Sequence, residues 1–179
     1  MFDLETTAIV GVFAIRPVIR RNARSCLVKT VYNGWFESFG VAADFIEQYN
    51  SVSHKNVLRG PHFQAPPHDQ YKSATCLKGD ILDVVSGMCR EQPTFRHHLR
   101  LVLTGEAANS VYISKGCAHG VYVRSQGATL LYNVSSYYAP QSDGGVKWNT
   151  VGVTSPSNSP QISDRDGALP SFPCLEKPF

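Results

Sequence analysis

What this sequence lacks narrows it quickly. Its 179 residues contain no stripe of Lys or Arg, and the net charge is only +3. No nucleic-acid partner is expected, because backbone phosphate binding needs a concentrated basic footprint. The nearest thing to a cluster, Arg16, Arg20, Arg21 and Arg24, is enough for a few phosphates. Long apolar runs are missing too. The longest, residues 8–15, is broken by Gly11 and followed by Arg16, so no membrane span is expected. Nor does the start read as a secretory leader: Asp3 and Glu5 stand where positive charge belongs. The five cysteines, Cys26, Cys76, Cys89, Cys117 and Cys174, are odd in number and form no C-x-x-C pair. That argues against a disulfide framework or a thiolate zinc site and fits a reducing, cytoplasmic setting.

What is present has a period of two. Short runs rich in Val, Ile, Leu, Tyr and Thr cover residues 8–15, 25–32, 73–77, 81–85, 99–103, 110–113, 120–123 and 128–134. Gly, Asn, Ser and Pro separate them, as in an antiparallel sandwich or jelly roll. Between residues 35 and 49 the apolar positions Phe36, Phe39, Val41, Phe45 and Ile46 suit one or two helical turns better than a strand. After Trp148 the composition turns to Ser, Pro and Asn, so residues 150–179 read as loop-rich, with Pro170, Pro173 and Pro178 opposing any long element. The length suits one domain, residues 1–179, with enough apolar content to bury a core.

Individually, the chemically capable residues say little. His62, in Arg59-Gly60-Pro61-His62-Phe63-Gln64, reads most simply as a turn histidine bonding a carbonyl. Lys72 follows Tyr71 in an apolar setting, where an ammonium is normally a surface group. His119 follows the Lys115-Gly116 turn at the start of a strand. Tyr132 occupies an alternation position typical of core, and Asp166 lies in what looks like a surface turn.

Their order carries more. The chain reads Asn56-Val57-Leu58-Arg59-Gly60-x-His62-Phe63-Gln64, then Lys72, then Gly79-Asp80-Ile81-Leu82-Asp83-Val84 and Pro93-Thr94-Phe95. It continues with Gly116-x-Ala118-His119-Gly120, Leu131-Tyr132, Tyr137-Tyr138-Ala139-Pro140, Trp148 and Ile162-Ser163-x-x-Asp166. Together these segments, spread over nearly the whole chain, resemble the dTDP-4-dehydrorhamnose 3,5-epimerase family. The resemblance implies an all-β cupin jelly roll with short flanking helices, working without cofactor or metal. It implies a nucleotide-diphosphate 4-keto-6-deoxy sugar as substrate, inverted at carbon 3, carbon 5 or both through an enolate.

By the same resemblance, His62 is the base, paired with Asp166, and histidine suits the task because imidazole ordinarily titrates near ~6.5. Lys72 would stabilise the oxyanion at oxygen 4, and Tyr132 would return a proton from the opposite face. Arg59, His119, Arg24, Asp143, Arg165 and Gln64 fall on substrate-binding positions. A homodimer is implied as well, with an N-terminal strand crossing to the partner. One departure concerns the nucleotide. Lys29 stands where family members usually place Glu, and an ammonium only donates, which leaves thymidine, cytidine and guanosine carriers open. Two other readings stay open on the residues alone. The first is a metal-dependent cupin oxygenase or isomerase, for which His62 and His119 form a poor ligand set. The second is a non-catalytic sugar-binding cupin.

Overall fold

The alternating runs become two facing antiparallel sheets in the computed structural model, which describes residues 2–175 and 179. Pro178 lies outside the described residues. One sheet has six strands in the order β1 (Phe2–Thr6), β2 (Val12–Pro17), β10 (Ser110–Ile113), β7 (Lys72–Lys78), β12 (Gly127–Val134) and β5 (Glu47–His54). The other has five: β13 (Asp143–Gly145), β6 (Leu58–Gln64), β11 (Cys117–Val123), β8 (Asp80–Gly87) and β9 (His98–Thr104). Apart from the β1–β2 and β8–β9 hairpins, the chain from β5 to β13 crosses from one sheet to the other at each step, which is the jelly-roll pattern.

Val12, Ile81, Val85, Val111, Val121 and Leu130 meet between the sheets. Inward positions at the other end of the same space are polar, and that end becomes the site. A second cluster, built on Phe36, Val41, Ala43 and Tyr112, packs helix α1 (Asn33–Ser38) and the chain after it against Ile15 of β2. A third packs the C-terminal segment, through Val151 and Phe172, onto Phe63 and Ala118. Because Leu130 is wholly buried, Leu130→Ala should cost about 2–5 kcal/mol. Urea unfolding would show this as a lower midpoint at unchanged slope.

Several strand expectations shift. The run at residues 8–15 starts a strand only at Val12, because Thr7 and Gly11 turn the chain back into a β1–β2 hairpin. Gly11 has φ +76, and a side chain there would collide with Ser114. The run at 25–32 shrinks to β4 (Cys26–Leu27), paired with β3 (Arg20–Arg21) in a small exposed hairpin. The helical reading of residues 35–49 holds only for α1. Gly40, at φ +69, follows its end, and residues 47–54 are strand β5.

Candidate active site

The site begins with a defect in the β6–β11 pairing. His62 faces His119, and Arg59 faces Val121, so Gly60 and Pro61 together oppose Gly120 in a bulge. Gly60 sits at φ +79, and a Cβ there would lie 2.7 Å from the His119 carbonyl oxygen, so only glycine fits. The bulge leaves the Gly60 N–H free of the ladder, and it donates to Asp166 Oδ2 at 3.0 Å.

Asp166 is delivered from the far end of the chain by the short helix α2 (Asp164–Gly167), whose N-cap, Ser163, accepts the Asp166 N–H at 3.1 Å. What resembled a surface turn is therefore a buried carboxylate, 4% exposed. Its other oxygen meets His62 Nε2 at 2.7 Å. Burial alone would raise its pKa. The hydrogen bonds from His62 and Gly60, together with the charges of His62 and Arg165, outweigh that and hold it below the usual carboxylate range. An ionised Asp166 can only accept, so Nε2–H of a neutral His62 donates to it and the lone pair is left on Nδ1.

A second imidazole–carboxylate pair lies deeper. His119 Nε2 and Asp83 Oδ2 are 2.7 Å apart, both almost fully enclosed. Asp83 Oδ1 has no hydrogen-bond partner among the described residues. Lys72, the first residue of β7, is only 7% exposed. Burial lowers its pKa from 10.5 to about 8, and Cys117, Asp83 and Asp143 offset this only in part.

Tyr132 hangs inward from β12, with its ring stacked on Tyr49 at 5.0 Å and His119 edge-on at 6.0 Å. Burial first, then the negative charge of Asp83 and the neighbouring Tyr49, raises its pKa, so its hydroxyl keeps its proton. Burial and the carboxylates of Glu47 and Asp143 likewise lift Tyr49 to about 12.

These groups line one cleft. Its inner lobe, about 240 Å³, is walled by His62, Lys72, His119, Tyr132 and Arg59, whose Nε donates to Ser53 at 2.8 Å. An outer lobe of about 340 Å³ shares Tyr49, His62, Lys72 and Arg165 with it and adds Asp143, Tyr138 and Gln64. Arg165 and Tyr138 both donate to Asp143 Oδ2, at 2.6 Å and 3.0 Å.

Nine of the ten residues singled out in the sequence thus converge on one cleft. Arg24 does not. It lies exposed at the tip of the β3–β4 hairpin, where its N–H bonds Asn22, and it lines neither lobe. Gln64 reaches the wall, but its amide is engaged with backbone groups. Sequence reasoning missed Asp83 as His119's partner, although a carboxylate between Ile81 and Val85 on the inward side of an apolar strand was a usable signal. It also missed Tyr49 and Tyr138. Among the described residues, no three His, Cys, Asp or Glu side chains group as metal ligands would, and no helix is long and apolar enough to cross a membrane.

The architecture is the cupin jelly roll, opened at one end into a cleft furnished for moving protons. Residues 6–173 match the sequence family described as dTDP-4-dehydrorhamnose 3,5-epimerase. The Salmonella typhimurium protein of that description is 34% identical over 168 residues, covering 92% of both chains. Among solved structures, the Legionella pneumophila dTDP-6-deoxy-D-glucose-3,5-epimerase RmlC, in complex with dTDP-4-keto-L-rhamnose, superposes with a TM-score of 0.94. It is 28% identical, covering 98% of this chain and 95% of that one. NovW, a 4-keto-6-deoxy sugar epimerase from the novobiocin biosynthetic gene cluster of Streptomyces spheroides, gives a TM-score of 0.92. It is 29% identical, with 97% and 88% covered. The chain belongs to the dTDP-4-dehydrorhamnose 3,5-epimerase family and is an isomerase-class enzyme.

Proposed function

We propose that this enzyme inverts carbons 3 and 5 of a thymidine-diphosphate-linked 4-keto-6-deoxyhexose, one after the other, through an enolate. One observation carries the reading: the His62–Asp166 pair, the Lys72 ammonium and the Tyr132 hydroxyl line the same inner lobe. Carbons 3 and 5 both flank the ketone, so a proton lost from either leaves its electron pair delocalised onto oxygen 4. His62 Nδ1 takes that proton, and Asp166 stabilises the imidazolium that forms. Lys72 places a positive charge where oxygen 4 becomes negative, and its own burial limits how far water screens that charge. Tyr132 returns a proton to the opposite face of the carbon, and the resulting phenolate recovers one from solvent. His62 then releases its own proton.

The thymidine carrier is supported by the ligand of the Legionella relative. Lys29, whose ammonium lies 5.8 Å from the Tyr32 ring centre beside the exposed hairpin, is the residue that sets this carrier at risk. Reducing the product ketone, so that the protons on carbons 3 and 5 couple to one on carbon 4, and reading those couplings by proton NMR for each nucleotide-linked substrate tests both parts of the proposal. Inversion at both centres, with dTDP-linked substrate preferred over its CDP and GDP counterparts, supports it. Inversion at one centre, or a preference for another carrier, contradicts the corresponding part.

The acid role of Tyr132 has its own signature. In Tyr132→Phe, His62 can still remove a proton and return one to the same face. Solvent deuterium should therefore enter unconverted substrate at close to the normal rate, while inversion falls about 10²-fold or more. Equal loss of both would assign Tyr132 a different part.

The reading extends to residues 1–179 acting as one domain, to a cytoplasmic setting and to a homodimer. Support for the dimer comes from Arg24, which stands away from its own chain's cleft, and from Val52 and Leu77. These are 67% and 45% exposed on the outer face of the six-stranded sheet. Sedimentation should give twice the chain mass, 19.7 kDa.

A further inference from the structure

Gln64 ends the strand that carries His62, two positions beyond it and 5% exposed. Its Nε2 donates to the carbonyls of His68 at 2.9 Å and Tyr137 at 3.3 Å. Its Oε1 accepts the Ala139 N–H at 2.7 Å. Both amide hydrogens and one oxygen lone pair are thus spent on the backbone, which leaves little of the group for a ligand. Residues 135–139 connect the end of β12 at Val134 to a short 3-10 turn at Pro140–Ser142, with no regular structure between. Ser136 and Tyr138, on this strap, wall the outer lobe. Tyr138 is 63% exposed, and its hydroxyl reaches Asp143, the residue opposite Gln64 across the β13–β6 pairing. The strap is therefore tied on one side by the Gln64 amide and on the other by Asp143, which Arg165 also holds.

We propose that Gln64 is a positioning residue. By clamping the backbone on either side of Tyr138 it sets the outer wall of the cleft, and through that wall the fit of the substrate. The inference rests on the epimerase reading above. A substrate seated by a preset wall loses less freedom on binding than one that must order the wall itself. Ser135, at the start of the strap, is held to the Tyr71 backbone in both directions, so the clamp acts on the stretch around Tyr138, which without it keeps only the tyrosine hydroxyl bond to Asp143.

The test pairs a readout free of substrate with a kinetic one. In Gln64→Met, which keeps the side-chain volume and removes all three hydrogen bonds, amide hydrogen exchange over residues 135–141 should speed up about ten-fold. Peptides from β12 and β7 should be unchanged. KM should rise about ten-fold while kcat changes less than about three-fold, the split expected when binding order is lost and the reacting groups stay in place. Tyr138→Phe should raise KM in the wild-type background and add under about two-fold in the Gln64→Met background, because both changes release the same wall. Unaltered strap exchange, a wild-type KM, or effects that multiply in the double variant would each overturn the proposal. If Gln64→Met does not fold, Gln64→Glu, which keeps the acceptor for Ala139 and loses both donors, decides by the same readouts. An inactive wild type would sink the epimerase reading by itself, and strap exchange would still show whether Gln64 holds the wall.

Discussion

Replacing His62 with Asn should reduce proton abstraction at carbons 3 and 5 by about 10²–10⁴-fold, the usual contribution of a positioned general base. The expectation follows from the hydrogen-bond geometry. Asp166 is buried, ionised and already committed to the Gly60 N–H on one oxygen. Its other oxygen holds His62 Nε2 at 2.7 Å. That contact sets the tautomer, and the basic nitrogen is left for the cleft. An Asn side chain offers an amide, which neither accepts a carbon-bound proton nor carries the resulting charge. The His62 side chain is 28% exposed, so its loss opens no large cavity, and the fold should survive. Measured by solvent deuterium entering the substrate, activity close to wild type would assign the base elsewhere, with His119 the next imidazole in the cleft.

Lys72→Met should do two things that rarely go together: lower kcat by about 10²–10³-fold and make the protein more stable at neutral pH. The loss is that of one preorganised charge at the developing oxyanion. The gain follows from burial. In the unfolded chain this amine would hold its proton up to its ordinary 10.5, whereas in the folded protein it gives it up at about 8. Between those values the unfolded state binds the extra proton, so the wild type gains stability as pH rises through that window. Below about pH 8 the charged amine is a standing cost, which methionine removes. The melting temperature of Lys72→Met should therefore exceed that of the wild type by at least ~3 °C at pH 7, with the difference shrinking between pH 8 and 10.5. In the wild type, activity should fall as pH passes about 8 and the ammonium is lost. An unstabilised variant, or activity undiminished at pH 9.5, would show that Lys72 is not the buried, charged group described.

The same polarity explains what could be read from the sequence and what could not. Strands whose inward positions are apolar, such as β10 with Val111 and Ile113, were visible to the residue. Strands that line the cleft were not. β5 turns Tyr49, Ser51 and Ser53 inward, which spoils the alternation by which a half-buried strand is recognised; its first residues, 47–49, were read as helical and the rest as no element. β6 carries Gly60 and Pro61 for the bulge and His62 for the cleft, and it too lacked the pattern. Function had overwritten the signal of fold.

The site residues were legible only as a set. His62 and Asp166 are 104 positions apart, and nothing local in Ser163-Asp164-Arg165-Asp166 tells a buried carboxylate from a surface one. Their shared resemblance to a family supplied that connection. The Asp83–His119 pair, which the motifs contained without pairing, needed the β8–β11 register to become visible. The role of Gln64 needed three backbone contacts that no sequence pattern announces.

The central claim, proton exchange beside a 4-keto group driven by His62, is tested most directly by incubating wild-type enzyme in deuterium oxide with a dTDP-linked 4-keto-6-deoxyhexose and following carbons 3 and 5 by NMR. Deuterium should appear at both positions, seen as loss of the carbon 3 and carbon 5 proton signals and collapse of the methyl doublet, and at neither when His62→Asn is used. Exchange absent from the wild type, or equally present in the variant, would contradict the account.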